Sequence, residues 1–275
     1  MSRAPEPGSV VFVGAGPGEA DLITRRGADR LRVAEVVLFD SLADPALRTL
    51  APDAKWIDVG KRGLRGLRGV QHAHADSGEN AGQATINALL VKHAGDGRRV
   101  VRLKGGDPSV FGRLEEEIEA LARAGIACEV VPGVTAASAA AAATRRPLTR
   151  RGSGRSVSLT TAMTHDAGLC AGRHADTEVF YMAGKQLAGL SRGLAAAGWP
   201  SDAPALVVSR AGWPDEVASD HAVATLGDAT VLHAGRPTVV IVGAGATALT
   251  ARAATYHAGP EAATPSLPAP ALTTP

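Results

Sequence analysis

The amino-acid sequence predicts an α/β protein made of two α/β units. Three observations carry that expectation. Short aliphatic runs alternate with helix-like stretches. Glycine-containing turns follow three of those runs in the first half of the chain. A polar, glycine-containing segment, Thr149 to Arg155, interrupts the alternation and reads as a linker. With 275 residues, 45% of them hydrophobic, the chain is long enough for a sizeable core.

The elements follow in order. Val10 to Val13 is an apolar run ending at glycine and predicts a strand. Asp21 to Ala34 sets Leu22, Ile23, Leu31 and Val33 among charges and predicts a helix. Val36 to Phe39 and Trp56 to Val59 predict strands, Thr85 to Ala94 a helix, and Arg99 to Leu103 a strand. Glu115 to Ala124 is an amphipathic helix, Glu129 to Val131 a strand ending at Pro132, and Thr135 to Ala143 a helix of small residues. Strand–helix alternation of this kind implies a mainly parallel sheet. Beyond the linker, Ser156 to Thr161, Val179 to Met182, Ala205 to Val208, Ala222 to Leu226 and Thr238 to Val242 predict strands, with a helix at Leu187 to Ala197. Val217 to Leu226 suits a hairpin arm, so more antiparallel pairing is expected in this half. From about Gly259 the chain is rich in Pro, Ala and Thr, a composition expected to be disordered. The division expected is residues 1–148, 149–246 and a tail, 247–275.

Composition excludes several classes. Aromatic residues are only 3% of the chain and net charge is +2, which argues against stacking platforms for nucleic acid. The alanine-rich stretch Ala136 to Ala143 is too short to span a bilayer, and Met1 to Gly8 lacks the basic-then-apolar pattern of a signal peptide. Cys128 and Cys170 form no C-x-x-C pair and no disulfide framework. His72 and His74 lack a third partner nearby, so no metal is expected. A cytoplasmic enzyme without nucleic-acid or membrane partners is the resulting expectation.

Three loops carry the candidate chemistry. Val13-Gly14-Ala15-Gly16-Pro17-Gly18 suggests a dinucleotide fingerprint, but the position of its last glycine is Glu19. That carboxylate opposes a pyrophosphate, and Pro17 removes a backbone donor, so the loop is a poor phosphate cradle. A tight strand-to-helix turn explains it equally well. Arg102-Leu103-Lys104-Gly105-Gly106-Asp107-Pro108 follows a strand, where open α/β sheets bind ligands, and Asp107 can accept from an amine or hydroxyl. Gly-Gly-Asp-Pro is also ordinary turn chemistry. Val131-Pro132-Gly133-Val134-Thr135-Ala136-Ala137 is again strand, turn and helix start, with Thr135 able to cap the helix. The recurrence of such loops favours one shared ligand site. There is no Walker lysine pattern, no H-E-x-x-H and no G-x-S-x-G.

These loops, together with Val36-Val37-Leu38-Phe39-Asp40, Val59-Gly60-Lys61-Arg62, Pro147-Leu148-Thr149 and Phe180-Tyr181-Met182, resemble the tetrapyrrole methylase family from about Val10 to about Gly243. The run Val100 to Pro108 and the Gly60-Lys61-Arg62 step are its most specific parts. The resemblance implies a homodimer of two-domain α/β chains, with S-adenosylmethionine in the cleft between the domains. It also implies methylation of C2 and C7 of uroporphyrinogen III to give precorrin-2, on the way to siroheme and cobalamin. By position, cofactor contacts fall on Pro17, Gly105, Gly106, Asp107, Val110, Thr135, Ala136, Met182 and Ala211. The general-base aspartate falls on Asp40 and the catalytic lysine on Lys61. Without the resemblance, Asp40 reads as a cap for Ser41 to Leu47 and Lys61 as a solvated partner of Asp58.

The implied acceptor carries eight carboxylates, which arginine forks suit. Arg62, Arg102, Arg113, Arg150 and Arg151 are the substrate candidates, while Arg65 and Arg68 read better as solvated surface residues. The chain departs from the family pattern mainly on this side. Ser41 follows the aspartate where the family has Arg, and Arg150 replaces a histidine in Leu148-Thr149-Arg150-Arg151. The turn Gly112-Arg113-Leu114-Glu115-Glu116 lacks two glycines, Thr160-Thr161-Ala162-Met163 replaces Val-Thr-Gly-His, and the stretch Gly63 to Gly82 is long. A methylase of another corrin-ring position, a non-catalytic cofactor-binding paralogue and, on Gly14 to Gly18 alone, a nicotinamide enzyme are the alternatives.

Overall fold

The structure, a computed structural model, describes residues 6–60, 79–163 and 169–249. Strands β1 (Val10–Gly14), β2 (Val36–Phe39), β3 (Lys55–Asp58), β4 (Val100–Lys104) and β5 (Cys128–Val131) form a five-stranded sheet in the order β3-β2-β4-β1-β5. All its pairings are parallel. Every residue of β1 and β4 is buried, as central strands covered on both faces require. On one face, Phe12, Leu38 and Val100 pack with Leu89 and Leu90 of helix α2 (Glu79–Gly95) and Leu121 of α3 (Leu114–Arg123). On the other, Val11, Val13 and Leu103 pack with Leu31 of α1 (Arg25–Arg32). Thr24 caps α1 by accepting from the Gly27 amide at 3.1 Å.

The second sheet runs β6 (Val157–Thr161), β7 (Thr177–Tyr181), β10 (Thr238–Gly243), β8 (Pro204–Ser209) and β9 (Val217–Ala222), in that order. Only β6 and β7 pair in parallel; the other pairings are antiparallel. Helix α5 (Leu187–Ala196) covers one face through Leu187, Leu190 and Leu194. The other face meets α4 (Ala136–Ala143), whose Ala137, Ala139 and Ala140 pack against Val179, Leu206, Val208 and Ile241. The alanine helix follows the first sheet in sequence yet buries its side chains under the second.

Three sequence expectations are corrected. Ala222 to Leu226 is no strand: β9 ends at Ala222, and a 3₁₀ helix runs Val223–Thr230, burying Val223, Leu226 and Ala229. An apolar spacing of three suits that helix and not the alternation of a strand. The helix expected over Asp21 to Ala34 splits into a 3₁₀ turn, Ala20–Leu22, and α1, because Ile23 and Thr24 are extended. The helix expected at Thr85 begins at Glu79. The tail expectation falls mostly outside the described residues, which end at 249.

The second sheet holds a buried histidine. His233 is fully buried; its ring nitrogens lie 2.9 Å from Ser209 Oγ and 2.9 Å from Ser219 Oγ. Burial first, then the nearby His221 and Arg236, push its pKa below the usual 6.5. The unfolded chain takes up this proton near pH 6.5, whereas the folded chain resists it, so stability falls as pH drops through that value. Thermal unfolding is expected to come at a lower temperature at pH 5 than at pH 7, with a smaller drop in His233→Gln. Equal drops in both proteins would remove His233 as the cause.

Candidate active site

The site is built where the parallel strands end. The amide of Ala15, just after β1, donates to Lys104 O at 2.8 Å, and Gly16 and Gly106 pair as an isolated bridge. Asp107, after β4, accepts from the Gly133 amide at 2.9 Å through one carboxylate oxygen and from Ser109 at 2.7 Å through the other. The three glycine loops are thus tied to one another. They touch backbone to backbone: a Cβ on Gly14 would lie 2.6 Å from Gly133 Cα and 2.7 Å from Gly106 O. The first loop also reaches the second sheet, since the Glu19 amide donates to Gly212 O at 2.8 Å. With the amides of Ala15, Gly16 and Glu19 engaged, the Gly14–Gly18 loop has little to offer a phosphate.

Opening between these loops and the second sheet is a cleft of about 790 Å³. Its lining includes Pro17, Asp40, Gly105, Gly106, Asp107 and Val110 from the parallel-sheet side. The lining also includes Thr135 and Ala136 at the start of α4, and Met182 and Ala211 after β7 and β8 of the second sheet. Thr135 occupies the N-cap position of α4, but its side chain caps nothing. Its hydroxyl instead lies 2.7 Å from Tyr181 OH, which joins the start of α4 to the end of β7. Burial raises the Tyr181 pKa, so the phenol stays protonated at neutral pH. Tyr181 also packs against Phe111, ring centroids 5.1 Å apart. Phe111, Arg113, Met182 and Arg210 all line the cleft with positive φ, a region that non-glycine residues rarely adopt. Backbone strain of this kind gathers at ligand sites.

The floor is charged. Asp40 closes the end of β2, with Oδ1 accepting from the Leu42 amide at 3.0 Å. Arg102 and Lys104 lie two residues apart on β4 and so share one face of the sheet. Glu117 of α3, fully buried, meets both: Oε1 is 3.1 Å from Arg102 Nε and Oε2 is 2.6 Å from Lys104 Nζ. Arg102 NH1 then lies 3.9 Å from Asp40 Oδ2 and donates to Leu103 O at 2.9 Å. Burial, then Arg102, lowers the Lys104 pKa, while Glu117 and Asp40 raise it.

The structure therefore brings Asp40, Arg102 and Arg113 to the same cleft as the cofactor candidates. Arg113 forms a two-pronged pair with Glu116, at 2.7 Å on each prong. Arg150 is elsewhere: it lines a separate hollow with Arg173 and Trp199, and its guanidinium reaches Thr247 O. Arg151 is exposed in the adjoining turn. Lys61 and Arg62, with Arg65, Arg68, His72 and His74, lie outside the described residues. Among the described residues, no group of three His, Cys, Asp or Glu side chains is placed to hold a metal, and no helix is long and apolar enough to cross a membrane.

Sequence reading missed Lys104, Glu117, Tyr181 and Arg210 as parts of the site. A signal existed for two of them. Arg102 and Lys104 share one face of an otherwise apolar strand and demand a buried anion. Glu117 lies four residues before Leu121, on the buried face of an amphipathic helix.

Fold and cleft together define the class: a two-sheet α/β protein with a ligand-sized opening where its parallel strands end. The chain belongs to the Tetrapyrrole (Corrin/Porphyrin) Methylases, whose family model matches residues 9–230. It is 42% identical over 208 residues to a uroporphyrinogen-III C-methyltransferase of Pseudomonas aeruginosa, covering 74% of this chain and 80% of that one. It is 40% identical over 269 residues to siroheme synthase 2 of Halorhodospira halophila, covering 95% of this chain but only 52% of that longer protein. Among solved structures it is similar to uroporphyrin-III C-methyl transferase from Thermus thermophilus complexed with S-adenyl homocysteine. That similarity has a TM-score of 0.71 at 33% identity and covers 86% of this chain and 97% of the other.

Proposed function

We propose that this chain methylates uroporphyrinogen III at C2 and C7, giving precorrin-2 for the siroheme and cobalamin branches, with S-adenosylmethionine as donor. The observation that carries the reading is the cleft: its lining holds the tied loops, Thr135, Ala136, Met182 and Ala211 together with Asp40. The residues fit that donor better than a dinucleotide. The first loop's amides at Ala15, Gly16 and Glu19 are engaged, Pro17 lines the cleft, and the space beside Gly106, where a Cβ would have nothing nearer than 4.0 Å, is open to close approach. Pro17, Gly105, Gly106, Asp107, Val110, Thr135, Ala136, Met182 and Ala211 would hold it. When bound, it supplies a methyl group activated on a sulfonium.

The protein's own work is placement and proton management. Asp40 is the base that takes the proton released from the methylated ring, and Lys61 assists it. Arg113 and Arg62 pair with acceptor carboxylates. Arg102, gripped by Glu117, acts through its field. Arg150 and Arg151, the remaining acceptor candidates, lie outside the lining of this cleft. The working form is a cytoplasmic homodimer.

Anaerobic incubation with S-adenosylmethionine and uroporphyrinogen III is expected to yield a product carrying two added methyl groups by mass spectrometry. No methylated product, or methylation only of a later corrin precursor, would overturn the proposal. Tight S-adenosylhomocysteine binding without turnover would mark a non-catalytic paralogue.

A further inference from the structure

We propose that Glu117 is a positioning residue for methyl transfer, holding Arg102 and Lys104 beneath the cleft so that Arg102 fixes the carboxylate of Asp40. The inference rests on the function proposed above.

The charge pattern of the floor leads to it. A fully buried glutamate is costly unless paired, and this one is paired twice, one carboxylate oxygen to each cation. Gln83 of α2 adds a donor at 3.3 Å to the oxygen that also faces Arg102. Its amide also donates to Asn87 Oδ1 at 3.0 Å, and Asn87 donates to Glu116 O at 3.2 Å, so α2 and α3 are tied together behind the carboxylate. Glu117 therefore has little freedom, and neither does what it holds. The Arg102 guanidinium is oriented with Nε on Glu117 and NH1 toward Leu103 O and Asp40. Asp40 is held through Oδ1 by the Leu42 amide at 3.0 Å, while Oδ2 faces both the Gly105 amide at 3.5 Å and this cation at 3.9 Å.

Structural cement alone is a poorer account of the arrangement. An apolar trio of similar volume would serve packing as well or better. The trio also sits at the strand end that opens on the cleft: both cations line it, whereas Glu117 does not. Glu117 thus acts on the site through its partners, without touching a ligand.

The role has a pH signature. Among the described residues, the charged groups facing Lys104 are Arg102 on its own strand, Glu117 and Glu116 on α3, and Asp40 after β2; the neutral Gln83 of α2 meets Glu117. Burial and Arg102 lower the Lys104 pKa, and Glu117 opposes them through charge and hydrogen bond. Removing the Glu117 charge lets Lys104 lose its proton at lower pH.

The test compares the wild-type chain with Glu117→Gln and Glu117→Asp. Methyl transfer is followed across pH, and S-adenosylhomocysteine binding by calorimetry. For Glu117→Gln, kcat is expected to fall about a hundredfold, with inhibitor affinity within about twofold, as misplacement of a reacting group requires. The alkaline limb of the rate moves to lower pH, and Glu117→Asp, which keeps the charge, recovers part of the rate and the normal limb. Wild-type rate and pH profile in Glu117→Gln would overturn the inference. So would a parallel loss of rate and inhibitor affinity. If Glu117→Gln fails to fold, Glu117→Asp carries the test. A lowered kcat with inhibitor affinity within about twofold of wild type supports the inference, and a wild-type kcat overturns it. A wild-type chain that makes no methylated product defeats the underlying function, and the inference with it.

Discussion

Gly133→Ala is expected to lower stability by about 3 kcal/mol and to melt about 9 °C below the wild-type chain. The added methyl would meet Gly106 O and lie 2.8 Å from Gly14 Cα, so both obstacles are backbone and neither can swing aside. Relief requires parting the loops after β1, β4 and β5, which also breaks the bond from the Gly133 amide to Asp107. S-adenosylhomocysteine affinity should therefore fall with stability. Gly95→Ala is the control, because a Cβ at Gly95 has nothing within 4 Å. Scanning calorimetry and titration of the three proteins decide the matter. A Gly133→Ala chain that melts and binds like wild type would show that the loops are not packed through their glycines.

Asp40→Asn is expected to slow methyl transfer about a thousandfold, a normal loss for a general base, while leaving the fold intact. The substitution separates the two readings of this residue. An asparagine carbonyl oxygen still accepts from the Leu42 amide, so the cap at the end of β2 survives. What is lost is the charge facing Arg102 and the cleft, together with the Oδ2 acceptor 3.5 Å from the Gly105 amide. Single-turnover rates beside inhibitor binding make the distinction. An unchanged rate would reduce Asp40 to its cap.

Much of the fold could be read because its signals are local. Val36 to Phe39 is a strand with the ends its apolar run implies, and the loops after β1, β4 and β5 lie where glycine follows a strand. The misreadings come from competition at short range. Val217 to Ala222 and Val223 to Thr230 form one apolar-rich stretch, and only pairing of the first part with β8 separates strand from 3₁₀ helix. Thr135 has a capping residue's identity and position, yet a tyrosine from a distant strand claims its hydroxyl. The charged floor depends on three elements meeting, β2, β4 and α3, and no single window of sequence contains it. Tyr181, Met182 and Arg210 reach the cleft from the second sheet, where their left-handed or buried settings leave no periodic trace.

The alanine helix between the sheets has a consequence for how the protein could diverge. Its buried side chains are single methyls at Ala137, Ala139 and Ala140, so it serves as a shim of nearly fixed thickness under the second sheet. Each added carbon there works as a wedge, because close-packed layers transmit volume changes and do not absorb them. The breadth of the opening is then tied to α4, whose first residue, Ala136, lines the cleft while Ala137, Ala139 and Ala140 set the spacing under the sheet. A lineage or a designer seeking room for a bulkier ligand has, in the buried face of that helix, a dial that needs no change in the lining residues themselves.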